Sequence, residues 1–158
     1  MSYEWMDYFP KRALAIKAIR DYFDGEGFVE VDTPVRIPAP ANEPHIIPPA
    51  SGEWFLRASP ELQLKRLLAM GFTKLYQIGP CFRQGESGEK HSPEFTMLEW
   101  YRANATYMDI LEDMQRYVVA AAIAVNGTAV VERDGASIDL AAPWEIITVQ
   151  EAMKKFAG

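Results

Sequence analysis

The sequence predicts an α+β fold, an antiparallel sheet flanked by helices, and three observations predict it. Leu14, Ile16, Ile19 and Phe23 recur at near-helical spacing. The stretch Glu94 to Arg102 alternates with a period of two, and a glycine- and charge-rich segment, Gly85 to Ser92, joins it to the β-prone run Leu75 to Phe82. At 158 residues and 49% apolar content, the chain has material for one core and too little for two ordinary domains.

Each element follows from local signals. Pro10 suits a helix start, and Gly25 and Gly27 suit its end, so the first helix is predicted over Pro10 to Asp24. Phe28 to Val31 reads as a short strand that stops at Thr33-Pro34, where a missing amide donor ends pairing or forces an edge position. Thr33 to Pro49 holds six of the eleven prolines and is predicted to be extended loop. Trp54 to Arg57 is a second strand, and Pro60 opens a helix from Glu61 to Met70 that Gly71 closes. Beyond the long hairpin, Thr106 and Asp109 form a predicted capping box for a helix reaching Val125, with a stop at Asn126-Gly127. Val130 to Glu132, Asp134-Gly135 and Ser137 to Leu140 read as a small hairpin, and Thr148 with Glu151 caps a last helix.

Bulk properties exclude several functions. The longest apolar run, Tyr117 to Val125, is far short of the ~20 residues a membrane span needs, and the N-terminus has no leader pattern. Cys81 is the one cysteine and the histidines are His45 and His91, so no cluster has zinc-ligand spacing, no metal ligand is assigned, and a cytoplasmic location is expected. Sixteen basic residues against 22 acidic ones give a net charge of −6, which disfavours a broad phosphate-backbone footprint; tRNA is not expected as a partner. Neither G-x-x-x-x-G-K-[ST] nor G-x-G-x-x-G occurs, which argues against P-loop and Rossmann nucleotide sites.

What the chain carries instead is FRQGESGEKHSPEFTMLEWY: an arginine closing one strand, Lys90 and His91 in the loop, and Phe95 opening the returning strand. This stretch, about residues 80–102, resembles motif 2 of class II aminoacyl-tRNA synthetases. Gly27-Phe28-Val29-Glu30-Val31-Asp32-Thr33-Pro34 after an amphipathic helix resembles their motif 1, about residues 11–34. SPELQLKRLL at Ser59 to Leu68 and HSPEFTMLEWYR at His91 to Arg102 are similar to lysyl-tRNA synthetases, and the LEWYR ending leans towards the PoxA/GenX group, the elongation factor P β-lysine ligases.

The resemblance implies a class II synthetase-type catalytic domain that is incomplete: residues 1–158 form its N-terminal portion, without an anticodon-binding domain and without the G-x-G-x-x-R pattern of motif 3. It implies ATP and Mg2+ as cofactors, with the magnesium ligands outside this stretch, lysine or β-lysine as substrate, a lysine of elongation factor P as acyl acceptor, and a homodimer through motif 1. A lysyl-tRNA synthetase fragment and a non-catalytic dimerisation or binding module are the rival readings.

Residue by residue, Arg83 matches the arginine that binds the α-phosphate and the substrate carboxylate, a catalytic role. Phe95 matches the ring stacked on adenine and His91 the loop residue near the phosphates; Lys90 partly compensates for Glu89, where the β-lysine ligases often carry a basic residue, and Glu86, one residue past Gly85, substitutes for the acid by which lysyl-tRNA synthetases meet the adenine amino group. Ser59 and Glu61 are assigned to substrate binding, Glu61 matching the carboxylate that receives the substrate's amino group, and Glu99 and Tyr101 match the end of the pocket that holds the distal amine. The chemistry suits these residue types: a guanidinium fork lowers the cost of bringing two anions together, and an ammonium leaving water needs a carboxylate and further partners. Residue pattern alone leaves other readings open: Arg83 as a surface cation paired with Glu86 or Glu89, and Glu99 as a solvent-facing carboxylate of an edge strand. Strand alternation puts Phe95, Met97, Glu99 and Tyr101 on one face, with Thr96, Leu98, Trp100 and Arg102 on the other.

Overall fold

The long hairpin sets the frame of the fold. In the computed structural model, which describes residues 4–157, β5 (Lys74–Phe82) and β6 (Glu94–Arg102) pair antiparallel over nine residues, from Lys74 opposite Arg102 to Phe82 opposite Glu94. Both boundaries of β6 coincide with the predicted ones. β1 (Val29–Glu30) adds to the other edge of β5, giving the order β1-β5-β6, but it runs parallel to β5, so the sheet is not purely antiparallel.

Residues Phe23–Ile110 form one compact unit. One face of its sheet carries Tyr76 and Trp100, which are directly opposed, and both meet Phe23: its ring stacks on Tyr76 at 4.8 Å between centroids and lies 5.7 Å from Trp100. Phe28 meets Phe23 edge-on at 5.0 Å, and the Lys74 and Arg102 cations sit over Phe28. Phe23, Leu64, Leu75 and Tyr76 are fully buried, and full burial of such a side chain contributes about 1.5–3 kcal/mol. Gly27, at φ +77°, makes the turn that lets Phe28 fold back on Phe23.

A second, small sheet in this unit has the order β2-β4-β3, formed by Arg36–Ile37, Trp54–Leu56 and Ala50–Ser51, all antiparallel. The segment predicted to be loop therefore contains one short strand and leads into another. Arg36 and Ile37 lie between Pro34 and Pro38, and they pair at an edge, the position where neighbouring prolines cost least. α2 (Glu61–Ala69) starts after Pro60 and ends before Gly71, which has φ +106°.

The residues up to Tyr22 and those from Leu111 onward form the other unit. Its first helix, α1 (Glu4–Gly25), starts six residues before the predicted start and contains Pro10 within it. A proline's fixed φ is helical, so Pro10 fits within α1, but as the seventh residue it forgoes the amide bond to the Met6 carbonyl; the sequence signal marked a position inside the helix and not its boundary. α3 (Tyr107–Asn126) meets α1 through Tyr22, whose hydroxyl donates to Asp113 Oδ1 at 2.8 Å and whose ring lies 6.4 Å from Tyr117. At its start the Thr106 amide and hydroxyl both donate to Asp109 Oδ2 at 2.7 Å, the side of the predicted capping box that the acid supplies. β7 (Val130–Arg133) and β8 (Ala136–Asp139) form the small hairpin around Asp134 and Gly135, both with positive φ, as a type I′ turn requires. α4 (Val149–Phe156) carries the full capping box of Thr148 and Glu151. No helix among the described residues is long and apolar enough to cross a membrane.

Candidate active site

Opposed residues of an antiparallel pair point to the same side, so the register of β5 and β6 defines a second face. It pairs Phe95 with Cys81, Met97 with Gly79, Glu99 with Gln77 and Tyr101 with Leu75. The face turned away from Phe23 thus carries the aromatic ring, the carboxylate and the phenol that alternation predicted to lie together.

At the loop end of this face, the Arg83 guanidinium lies over the Phe95 ring at 5.2 Å. The Arg83 amide donates to the Pro93 carbonyl at 2.9 Å, which extends the ladder one pair beyond the strands. Gly85 takes φ +83°, a left-handed conformation that a side chain resists, and the turn brings Glu86 Oε2 to 4.0 Å from Arg83 Nη1. The expected alternative pairing with Glu86 therefore exists as a loose contact, while Arg83 Nε is shielded from solvent without a hydrogen-bond partner. Arg83, Gly85, Glu86, Ser87, Gly88 and His91 line an open cavity of about 480 Å³. Lys90 is exposed and does not contribute to that lining. A guanidinium with an unused donor beside an aromatic ring and a polar cavity suits an anion attached to a flat base.

At the other end, Tyr101 Oη donates to Glu99 Oε1 at 2.7 Å. Both groups are part-buried, so the solvent-facing reading of Glu99 does not describe it. Burial raises the Glu99 carboxyl above its ordinary range, the Tyr101 hydrogen bond lowers it, and the negative charge of Glu61 raises it again, for a net upward shift. Tyr101 is raised by burial first and then by Glu99 and Glu61, so it remains a neutral donor. Glu61, at the start of α2, is thus within electrostatic reach of both, and its carboxylate is bonded by the Lys65 ammonium one turn on. Ser59 Oγ accepts the Glu61 amide at 3.4 Å and sits at the turn into α2. Two acids, a phenol and an ammonium already bonded to one of the acids make a site with cation-binding chemistry.

The predicted residues accordingly form two clusters on one sheet face, Arg83, Glu86, His91 and Phe95 at one end and Glu61, Glu99 and Tyr101 at the other. Among the described residues, no group of three or more histidine, cysteine or acidic side chains could hold a metal ion. The sequence reading missed Arg57. It stands at the end of a predicted strand, where a lone arginine reads as surface, yet it is fully buried. Its Nε donates to the Pro80 carbonyl at 3.0 Å, and its Nη1 donates to the Thr33 carbonyl at 2.8 Å and to Thr33 Oγ1 at 2.9 Å. No pattern in the sequence distinguishes this arginine from an exposed one.

The family model for class II tRNA synthetases of the D, K and N group matches residues 2–158, and the chain belongs to that family. It is 41% identical over 160 residues to a lysine–tRNA ligase of Clostridium perfringens, covering 98% of this chain and 32% of that protein. The lysine–tRNA ligase of Pelotomaculum thermopropionicum shows the same identity and coverage. That of Moorella thermoacetica is 44% identical over 158 residues, 95% of this chain and 32% of the relative. The chain thus spans about a third of the length of these relatives.

Proposed function

We propose that the chain is the part of a ligase that holds ATP and a lysine-like amino acid side by side for activation of the amino acid's carboxylate. The observation that carries this reading is the placement of Arg83 and Phe95 at one end of a single sheet face and Glu99 and Tyr101 at the other. Arg83, which lines the open cavity, would neutralise the approach of carboxylate to α-phosphate through its guanidinium charge. Phe95 would stack on the adenine, Glu86 would stand in for the acid that meets the adenine amino group, and His91 would line the phosphate side. Lys90, an exposed loop cation next to His91, would add positive charge near the phosphates. Glu61 would receive the amino group and Glu99, with Tyr101, the distal ammonium, while Ser59 shapes the turn that presents Glu61. ATP would supply the adenylyl group: a carboxylate oxygen of the amino acid bonds to the α-phosphorus as the bond to the β-phosphate breaks and pyrophosphate leaves. Mg2+ would be held by residues outside this stretch. No side chain need act as nucleophile, because positioning and charge stabilisation suffice for in-line displacement at phosphorus.

Two readings of the acyl acceptor each have their own support. Transfer to tRNA is favoured by the lysine–tRNA ligases that the chain resembles along nearly its whole length. Transfer of β-lysine to elongation factor P, the PoxA/GenX reading, is favoured by the LEWYR ending of β6. A homodimer through motif 1, about residues 11–34, is part of both, and the exposed Leu14 and Val29 along that segment support it. A non-catalytic module would keep the dimer and bind neither ligand.

Isothermal titration of the whole protein with ATP and with lysine tests the pocket. Binding of both is expected, and silence from both would leave the module reading. Lysine-dependent ATP–pyrophosphate exchange should fall by about 100-fold or more in Arg83→Ala, the loss typical of a removed transition-state donor; exchange at the parent rate refutes the role of Arg83. Acylation assays offering tRNA and elongation factor P in parallel decide between the acceptors.

A further inference from the structure

We propose that Arg57, seated on Gly79, is a positioning residue of the amine pocket: it fixes Gln77 opposite Glu99 and supplies the buried positive charge that keeps Glu99 ionised for the substrate's ammonium. The inference rests on the pocket reading above and adds to it a residue that touches neither ligand.

The geometry begins with Gly79. It sits in the middle of β5, directly opposite Met97, and its backbone does not take the left-handed conformation that would by itself call for glycine. A Cβ there would lie 2.8 Å from Arg57 Nη2. Space for the guanidinium, and not backbone freedom, is therefore what this glycine provides. The Arg57 fork then ties three chain segments together, reaching Thr33 after β1, Pro80 in β5, and the Gln77 amide, whose oxygen, turned towards it, accepts from Nη1 at 2.9 Å and Nη2 at 3.1 Å. Its backbone continues the same joint, donating to the Val35 carbonyl and accepting from the Phe82 amide, both at 2.9 Å. Gln77 is the cross-strand partner of Glu99.

The hydrogen-bond acceptors of Arg57 are carbonyls, a hydroxyl, a carboxamide and the Cys81 thiol, all of them neutral. Burying a cation among neutral partners costs stability compared with an uncharged residue of similar size. A joint needing only hydrogen bonds has no use for that charge, whereas a part-buried carboxylate nearby does. The groups facing Glu99 are Tyr101 on its own strand, Glu61 and Lys65 from α2, and Arg57; burial and the charge of Glu61 oppose ionisation, while the Tyr101 hydrogen bond, then the Lys65 charge and then the Arg57 charge favour it. Lys65 has a side chain about half exposed and is bonded to Glu61, whereas Arg57 is fully buried and its charge is held in place by its fork.

The test follows the Glu99 carboxyl by NMR in protein labelled with 13C-carboxyl glutamate, assigned with Glu99→Gln, alongside calorimetric titration of lysine and ATP into the whole protein. Arg57→Met should move the Glu99 titration midpoint upward and weaken lysine about tenfold at neutral pH, with ATP changed less than threefold. Arg57→Lys should restore the midpoint and recover lysine binding in part, because it returns the charge without the fork. A folded Arg57→Met protein with an unmoved midpoint, or with equal losses for lysine and ATP, overturns the proposal. Should Arg57→Met not fold, Gly79→Ala, which pushes the guanidinium off its seat and keeps the charge, is expected to weaken lysine at least threefold; unchanged lysine binding in that variant overturns the positioning role. A parent protein that binds no lysine refutes the pocket reading itself, and the Glu99 midpoint still reports separately on the charge of Arg57.

Discussion

Glu99 concentrates the conflict between stability and binding in one side chain. Its carboxyl is raised in the folded state, chiefly by burial, and a group raised on folding binds more protons in the native than in the unfolded chain. Its contribution to stability is therefore fully present below the ordinary carboxylate range and is lost as pH rises through the folded value. At neutral pH the ionised carboxylate is a destabilising element kept for another reason. Glu99→Gln, which retains an acceptor for the Tyr101 hydroxyl, is expected to leave the urea midpoint at pH 7 unchanged or higher, and to remove lysine binding with little effect on ATP. A fall in stability of more than about 1 kcal/mol, beyond what one ordinary hydrogen bond contributes, would contradict this account. The sequence reveals Glu99, because alternation along β6 fixes its face and its company. It conceals Arg57, because burial of an arginine depends on partners at Thr33, Gln77 and Pro80, which no local pattern brings together.

Elements were legible where a local rule decides them. The hairpin of β5 and β6 follows from alternation and a glycine-bearing loop, and the start of α4 follows from Thr148 and Glu151. The strands Arg36–Ile37 and Ala50–Ser51 were not legible, since two residues carry no periodicity and only pairing with β4 makes them strands. The α4 cap also makes a prediction. Glu151 accepts the Thr148 amide at 2.7 Å and its hydroxyl at 2.8 Å, and these bonds hold its carboxyl below the usual range. A depressed folded value means that the stabilisation is present above the ordinary carboxylate range and is lost as pH falls through the folded value. Amide exchange in the first turn of α4 should accelerate on acidification. Thr148→Ala should accelerate it several-fold at neutral pH, since it removes the acceptor for the Glu151 amide. Acceleration spread evenly over the whole chain would show instead that α4 does not open locally.

At the scale of the whole molecule, the composition of this chain points away from a broad nucleic-acid footprint, yet the relatives it is similar to are lysine–tRNA ligases. Net charge averages over a surface, while tRNA recognition needs only a local one, so −6 does not decide the acceptor. Stability offers a more direct reading of what the fold holds. Phe23–Ile110 carries every predicted site residue, and its core is small: Phe23, Leu64, Leu75 and Tyr76 are its fully buried large side chains of apolar type. A ligand that binds the native unit and not the unfolded chain adds RT ln(1 + [L]/Kd), about 2.7 kcal/mol at a hundredfold excess over Kd, which is a large share of what a unit of this size has. ATP and lysine, each at saturation, should therefore raise the urea midpoint separately, and together by at least the sum. Glu99→Gln should lose the lysine increment and keep that of ATP, and Arg83→Ala should lose most of the ATP increment and weaken any gain from the two together, because Arg83 lies where their anionic groups would meet. Increments that vanish together in both variants would mean that the two clusters do not act as separate ends of one pocket, and the division of roles along β6 would have to be abandoned.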